Sequence, residues 1–486
     1  MDRTDRLNPR LRLGLATALA TLAVLTCWAC LTGRYGGPDE PAHVLRAHAV
    51  AHGELLGDPV PSLPPGYRSV RVPSSLGTGD PSCYRHDPRV PSDCADASAG
   101  DDVTVASSAG VNPPWYYALV GIPARLLGGR DDPLAYRLAA LAWVALATGV
   151  LAVRVRHRPA ARLLVALAPP SCWFLWGVVN PNGLEVVLVA LAATAAVAGD
   201  TGAPARREVW WAAVPLALAI SMRPVAALWA LAVLAVFELE WQRSRAIGRR
   251  ERLVLWGVPA LGVATVLVWN AWAGLVVDDE RTAGSRSVWA ALRHSVRGLP
   301  RSGNELIASL GWLEYHAPWV AVVAWVVAVG VMLLTRPHVR RATWVVLGGA
   351  LVVVPVVFEV ALDHRVGPIW QGRYSLPVAA AIAVVGTCRA TRPPSRRVQT
   401  SVLIASAVAM VSTAWVAARR YAVGTDGSWW FDGAVASSRG PGAGTWVVLL
   451  AVFTAALMGV LAPRRISSSE PAARHASDPS ASIPPR

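Results

Sequence analysis

Apolar blocks of about 20 residues recur along almost the whole chain, separated by short segments that carry arginine. A helix of about 20 residues is about 30 Å long, which matches the hydrocarbon core of a bilayer. Of the 486 residues, 54% are hydrophobic and 16% are charged, too few charges for the surface of a soluble protein. The pattern predicts an all-α integral membrane protein, a polytopic bundle of about 12 transmembrane helices.

The net charge of +15 comes from arginine alone, because the 46 basic residues include no lysine. The arginines lie mostly in short loops between apolar blocks, where the positive-inside rule places them in the cytoplasm. They form no basic surface interleaved with aromatic residues, so we expect no nucleic-acid partner. An arginine-rich chain without lysine is typical of a GC-rich bacterial genome, such as that of an actinobacterium.

The basic loops predict a multi-pass protein of the inner (plasma) membrane with both termini in the cytoplasm. We expect a cytoplasmic tail at 1–12, a transmembrane domain at 13–465 and a disordered tail at 466–486. The first apolar run is too long for a signal-peptide core and is predicted to remain as a span. The predicted spans lie at about 13–32, 134–153, 161–179, 183–199, 209–222, 224–237, 253–276, 318–335, 342–362, 374–388, 399–418 and 445–462.

Two segments of this topology have alternatives. The spans 209–222 and 224–237 are short and meet at Arg223-Pro224, so a single kinked helix is the other interpretation. That interpretation would place the arginines of 243–252 outside the cell. The apolar stretch 113–127 is also short, and we interpret it as an interfacial helix because a crossing there would invert the next basic loop.

Two long outer loops are predicted, at 33–133 and 277–317. If the first loop lies outside the cell, a disulfide between Cys83 and Cys94 is the favoured interpretation. Cys27 and Cys30 lie within an apolar block and are expected to act as small hydrophobic residues. In the second loop, the acidic run 278–280 and the pair Glu314 and His316 are expected to be solvated.

The first polar motif follows the first span directly and contains Asp39, Glu40 and His43. Adjacent carboxylates with a histidine can supply a general base or bind a divalent cation such as Mg²⁺ or Mn²⁺. The alternative is that Asp39 caps the helix that starts near Pro41.

Four further polar motifs are predicted at the same membrane face. Each has a structural alternative: a helix start with aromatic anchors, a turn, or an arginine that reaches lipid headgroups. Arginine suits a phosphate group because its planar fork donates paired hydrogen bonds. The motifs are Asn112 to Tyr117; Asn180-Pro-Asn182 with Glu185; Arg223-Pro224; and Gln371-Gly-Arg373-Tyr374, preceded by Glu359, Asp363, His364 and Arg365.

Together these motifs resemble the GT-C superfamily of membrane glycosyltransferases, and within it the bacterial family called domain of unknown function 2142. The resemblance extends from about residue 13 to 390. Arg223 stands where relatives carry lysine, and Asn112 where they often carry histidine or lysine. The similar segments are Asp39-Glu40 with His43, Pro113 to Tyr117, Arg137-Leu138, Arg223-Pro224, and Gln371 to Tyr374 with Pro377.

The resemblance implies a GT-C-like fold and an inverting glycosyltransferase that uses a polyprenyl-phosphate sugar as donor. Its acceptor would be a cell-envelope glycan, lipid or protein. Arg223 or Arg373 would hold the phosphate, and Asp39, or else Glu40, would take the proton from the acceptor hydroxyl. Further substrate contacts are expected from His43, Tyr117, Asn180, Asn182 and Tyr374.

Two alternatives belong to other functional classes. A transporter or flippase of lipid-linked saccharide would also use arginines and broken helices, although its ionisable residues would be expected near mid-membrane. A non-catalytic membrane assembly protein is the other alternative. A divalent cation at Asp39, Glu40 and His43 is compatible with the enzyme but not required by it.

Overall fold

The computed structural model describes residues 8–64, 66–97, 100–128, 132–199, 204–241, 247–274, 286–334, 338–392, 394–432 and 440–463. The acidic run 278–280 and the tail 466–486 lie outside these residues.

Two short antiparallel pairs join β1 (Arg68–Val72) to β2 (Val103–Ser107) and β3 (Ser309–Leu310) to β4 (Tyr315–His316). The α-helices are α1 (Pro9–Leu31), α2 (Glu40–Ala51), α3 (Ser74–Gly77), α4 (Pro114–Leu126), α5 (Pro133–Arg154), α6 (Pro170–Trp176), α7 (Pro181–Ala196), α8 (Ala205–Met222), α9 (Ala226–Trp241), α10 (Arg249–Trp272), α11 (Val288–Ile307), α12 (Trp319–Leu333), α13 (Arg341–Val366), α14 (Leu376–Cys388), α15 (Arg396–Ala422) and α16 (Ala443–Leu461).

The prediction of a helical membrane protein is confirmed, but the count of about twelve spans is not. Among the described residues, six helices are long and apolar enough to cross a membrane: α1, α5, α10, α13, α15 and α16. The bent pair of α6 and α7 would make a seventh. Several of the remaining predicted spans contain shorter apolar helices, including α12 and α14.

Helix α7 forms the centre of the bundle, since every one of its residues is buried. It packs against α5, α8, α9 and α14. Proline occupies the first turn of α1, α2, α5, α6 and α7, where its missing N–H leaves no hydrogen bond unmade and its fixed φ favours the helix.

The bundle has two ends that differ in chemistry. We call the end with Thr32 and Asn180 the site end, and the end with Pro9 and Arg154 the far end. Arg154 donates hydrogen bonds to Thr194 and to Glu208, so the end of α5, the end of α7 and the start of α8 meet at the far end. The predicted inner segments that contain Arg154 and Arg206-Arg207 therefore share one end of the molecule.

The predicted helical span at 161–179 is wrong in its secondary structure. Only α6 is α-helical there, because Pro169 and Pro170 prevent the helix from extending backwards. Although most of it is not helical, the segment 158–180 extends beside the whole of α7, a length of about 24 Å. Arg158 donates to the carbonyl of Val197 at one end of α7, and Asn180 caps the other end.

The segment around Arg223 forms two helices rather than one kinked helix. Arg223 itself is extended, with φ −143° and ψ 115°, and ends α8. Helix α9 returns to the far end, where the indole of Trp241 donates to the carbonyl of Ala195. Arg223 is therefore held at the site end, in the break between two antiparallel helices.

The segment between α1 and α5 folds over the site end. Cys83 and Cys94 form a disulfide with an S–S distance of 2.08 Å. Helix α4 occupies the stretch interpreted as an interfacial helix and packs against α2. Gly121 of α4 lies so close to α2 that a Cβ atom there would be 2.1 Å from the carbonyl oxygen of Ala47.

The expectation that Glu314 is solvated is wrong. Its side chain is 5% exposed and lies 3.5 Å from the guanidinium of Arg420. His316 is exposed, as expected. Burial follows from the β3–β4 turn, which folds the loop back onto α15 so that Glu314 reaches a fully buried arginine.

We predict that Gly121→Ala lowers stability by about 1–3 kcal/mol, because the new methyl group meets backbone that cannot move without separating α2 from α4. Thermal unfolding of the detergent-solubilised protein would measure this. Gly330→Ala in α12 is the matched control, since nothing lies within 4 Å of its added Cβ. Equal melting temperatures for the two variants would contradict the prediction.

Candidate functional site

A cavity of about 250 Å³ opens at the site end of the bundle. Its polar lining comes from regions that are far apart in the sequence. The start of α2, the segment before α4, the start of α7, the end of α8 and the start of α14 all contribute. The polar lining side chains are Asp39, His43, Ser108, Asn112, Asn180, Arg223, Arg373 and Tyr374.

Next to Asp39 in the sequence, Glu40 forms an ion pair with Arg137, and both side chains are completely buried. Two hydrogen bonds of 2.7 Å join their side chains. Arg137 also donates to the carbonyls of Ala29, Thr32 and Gly33, which are left without helical partners where α1 ends. The pair therefore fixes the exit of α1 against the start of α5.

Each carboxylate oxygen of Glu40 accepts two hydrogen bonds. Besides Arg137, its carboxylate accepts bonds from the backbone N–H groups of Gly37 at 3.0 Å and Val179 at 3.1 Å. Burial alone would raise the pKa of Glu40, but Arg137 and these bonds hold it below the ordinary value. Glu40 is therefore ionised, and its role is to hold Arg137 and the backbone at Gly37 and Val179 in place.

Asp39 differs from its neighbour because its side chain is 49% exposed and faces the cavity. It precedes α2 with φ 60°, a left-handed conformation that aspartate tolerates better than most residues. Its side chain makes no capping hydrogen bond, so the alternative of a simple helix cap is not realised. Instead, Oδ2 accepts a 2.6 Å hydrogen bond from Nη2 of Arg373.

The pKa of Asp39 reflects two opposing effects. Burial raises it, but Arg373, and after it His43 and Arg223, lower it below the ordinary value. Asp39 is therefore ionised at neutral pH.

Two arginines bring positive charge to the cavity. Arg373 is 5% exposed, and its Nε and Nη1 atoms are buried without a hydrogen-bond partner among the described residues. Arg223 is held at 2.8 Å by Glu185, which is fully buried and also accepts a bond from Asn182. Both guanidinium groups lie near the ring of Tyr374, at 5.3 and 4.8 Å from its centroid.

His43 connects the cavity to Tyr117. Its Nδ1 lies 2.9 Å from the Tyr117 hydroxyl, which also accepts a bond from the amide of Asn112 at 2.8 Å. Burial lowers the pKa of His43 to about 4, so the ring is neutral at neutral pH. One hydrogen bond therefore joins Nδ1 to the Tyr117 hydroxyl, and its direction is set by which ring nitrogen carries the proton.

Asn180 holds the loop that carries Asp39. Its amide donates to the carbonyl of Pro38 at 3.1 Å, while its oxygen caps α7 through the N–H of Asn182. Asn182 and Tyr117, predicted as substrate contacts, do not line the cavity; each contacts a side chain or loop that does. Glu40 does not line the cavity either, whereas the other predicted residues, Asp39, His43, Asn180, Arg223, Arg373 and Tyr374, all do.

The residues suggested as ligands of a divalent cation do not form a ligand set. No group of three or more His, Cys, Asp and Glu residues among the described part of the chain is arranged to hold a metal. Both carboxylates face an arginine, and Nδ1 of His43 faces Tyr117. A cation at Asp39, Glu40 and His43 would first have to displace these partners.

Several contacts of the site were not predicted from the sequence. The Glu40–Arg137 pair is one, and the Glu185–Arg223 pair is another. Arg46 is a third: it donates to the carbonyl of Asn112 and lies 5.8 Å from the ring centroid of Tyr117. The first pair could have been predicted from Arg137 alone, because an arginine one turn inside an apolar helix needs a carboxylate partner.

Comparison with known proteins matches the chain to a family model and to solved structures. The family model described as predicted membrane protein DUF2142 matches residues 22–382. The chain is similar to ArnT from Cupriavidus metallidurans bound to undecaprenyl phosphate, with 15% identity, a TM-score of 0.47, and coverage of 92% of this chain and 75% of that chain. For the apo state of that protein the identity is 16% and the TM-score is 0.47, and the match covers 92% of this chain and 76% of that chain. No curated protein matches the chain.

We predict that Glu40→Gln destabilises the protein by about 3–5 kcal/mol, because it leaves Arg137 buried without a counter-charge. The pKa of Glu40 is lowered by folding, so its contribution is present above its ordinary value of 4.5 and is lost as pH falls through the folded value.

Melting temperatures measured from pH 7 down to pH 3 would test both statements. Glu54→Gln, a partly exposed carboxylate beyond the end of α2, is the control. A wild-type protein and a Glu40→Gln variant with the same melting temperature at pH 7 would show that the pair is dispensable.

Proposed function

The chain belongs to the DUF2142 family of predicted membrane proteins, and we propose that it is a glycosyltransferase. It transfers a sugar from a polyprenyl-phosphate donor to an extracytoplasmic acceptor of the cell envelope. The observation that carries this proposal is the meeting of one open carboxylate, Asp39, with Arg223 and Arg373 in a single cavity of a membrane bundle.

The donor phosphate is proposed to bind at the two arginines. Arg373 offers two donor atoms that no described protein group uses, and burial makes a charged hydrogen bond to phosphate stronger there than in water. Arg223 is already oriented by Glu185 and Tyr374, so little side-chain freedom is lost on binding. The prenyl chain would lie between or beside the apolar helices that surround the cavity.

Asp39 is the proposed general base. Its carboxylate is paired with Arg373, and a bound phosphate would compete for that guanidinium and release the carboxylate. The acceptor oxygen attacks the anomeric carbon as its proton passes to Asp39. The bond from the anomeric carbon to the phosphate oxygen breaks, and polyprenyl phosphate leaves with the electron pair.

The developing negative charge on the leaving phosphate is stabilised by Arg373 and Arg223, which are fixed before the reaction begins. A single base with direct displacement inverts the anomeric configuration. Glu40 is assigned a positioning role, because all its bonds are used in holding the loop that carries Asp39.

We predict that Asp39→Asn lowers sugar transfer by about 10²-fold or more, since it removes the proton acceptor while preserving side-chain shape. The measurement is release of labelled sugar from a polyprenyl-phosphate donor in proteoliposomes, with melting temperature as the check of folding. Asp58→Asn, an exposed aspartate of the same extramembrane segment, is the control. Transfer by Asp39→Asn at the wild-type rate would remove Asp39 from this role.

We predict that Arg373→Gln weakens binding of polyprenyl phosphate by about 10-fold or more, because a charged hydrogen-bond donor contributes about 1.5–3 kcal/mol. Retention of polyprenyl phosphate by the purified protein, followed by native mass spectrometry, would measure this. Arg71→Gln, whose side chain is 77% exposed, is the charge-matched control. The same proteoliposomes would also report lipid movement, and movement without sugar transfer would favour the flippase alternative.

A further inference from the structure

A second cavity, of about 630 Å³, lies at the far end of the bundle, where the start of α1, the end of α5 and the end of α16 meet. Helix α1 separates it from the site around Asp39 by its whole length, about 34 Å. Its polar wall carries Arg10, Arg156, His157 and Arg162, and its apolar wall includes Leu13 and Leu461. This far-end cavity has no part in the proposed transfer reaction.

The electrostatic character of the far-end cavity is positive. None of the described residues that line it is acidic. Burial, and after it the neighbouring charges with Arg156 first, lower the pKa of His157. Burial and then Arg10 lower the pKa of Arg156 as well. Cationic groups that lower one another's pKa repel each other, and an anion placed between them relieves this repulsion.

Helix α1 adds a further positive contribution. It begins at Pro9, and the side chain of Asn8 accepts only the N–H of Arg10. Pro9 has no N–H and the N–H of Arg12 is bonded to the carbonyl of Asn8, so the contribution of α1 to binding an anionic group comes from the helix dipole. The dipole of α1 and the arginine side chains therefore both favour a negatively charged group in the far-end cavity.

The shape of the far-end cavity argues for an amphiphilic ligand. Leu13 and Ala152 form one apolar side and Val460 and Leu461 another, next to the arginines. Below it, α1 and α5 are in close contact, since a Cβ at Gly149 would be 2.6 Å from the carbonyl oxygen of Gly14. This contact fixes the two helices whose ends carry the arginines. A ligand held here would have its charge at the arginines and its apolar part along helix surfaces.

We infer that the far-end cavity binds the headgroup phosphate of an anionic phospholipid at the predicted cytoplasmic face. Basic pockets between helix ends at this face suit such headgroups, and each arginine near the surface contributes roughly a fivefold preference. The inference is independent of the proposed sugar transfer.

The test uses the full-length protein in mixed micelles with equal phosphatidylglycerol and phosphatidylcholine, and native mass spectrometry of the retained lipid. We expect phosphatidylglycerol to be retained over phosphatidylcholine by about 25-fold or more, because Arg10 and Arg156 each contribute about fivefold. Arg10→Gln and Arg156→Gln should each lower this ratio about fivefold. Arg12→Gln, an exposed arginine on the same helix that does not line the cavity, should leave the ratio unchanged.

Three results would overturn the inference. Wild-type protein could retain both lipids equally, or Arg12→Gln could lower the ratio as much as Arg10→Gln, which would indicate bulk charge alone. Inorganic phosphate in excess could displace the lipid, which would identify a free-phosphate site. Arg10 is exposed, so its variant carries the test even if Arg156→Gln fails to fold. The readout is lipid retention, so it stands whether or not the protein transfers sugar.

Discussion

The buried ion pair of Glu40 and Arg137 is the contact on which the site end depends. Arg137 satisfies the carbonyls at the end of α1, and Glu40 binds the N–H groups of Gly37 and Val179. One pair thus joins α1, α2, α5 and the segment before α7. Burying two charges is costly, and it is offset here because nearly every donor and acceptor of the pair is used.

Three carboxylate–arginine pairs lie near one another, and they differ in how completely they are satisfied. Glu40 with Arg137 is sealed from solvent, and Arg223 with Glu185 is partly open. Asp39 with Arg373 leaves a half-exposed carboxylate and two unused guanidinium donors beside a cavity. The same residue types therefore give a saturated structural contact in one pair and a carboxylate open to the cavity in another, because burial and hydrogen bonding differ.

The irregular segment between Arg158 and Asn180 illustrates a second constraint. Backbone without helical hydrogen bonds is tolerated at membrane depth only where protein surrounds it. Here the chain lies beside the fully buried α7, and the indole of Trp325 donates to the carbonyl of Leu167. The short helix α6 then meets α7 at 117°, which brings Asn180 to the loop that carries Asp39.

The sequence by itself determined the membrane bundle, the helices that start at proline, the gathering of arginine loops at one end and the polar motifs at the other. These follow from local composition and periodicity, which a single stretch of chain carries. Only the tertiary structure decided that Glu40 is saturated while Asp39 is open, because Arg137 is 97 positions from Glu40 and Arg373 is 334 positions from Asp39. It also decided the irregular backbone at 161–179 and the burial of Glu314, since both depend on partners supplied by distant helices.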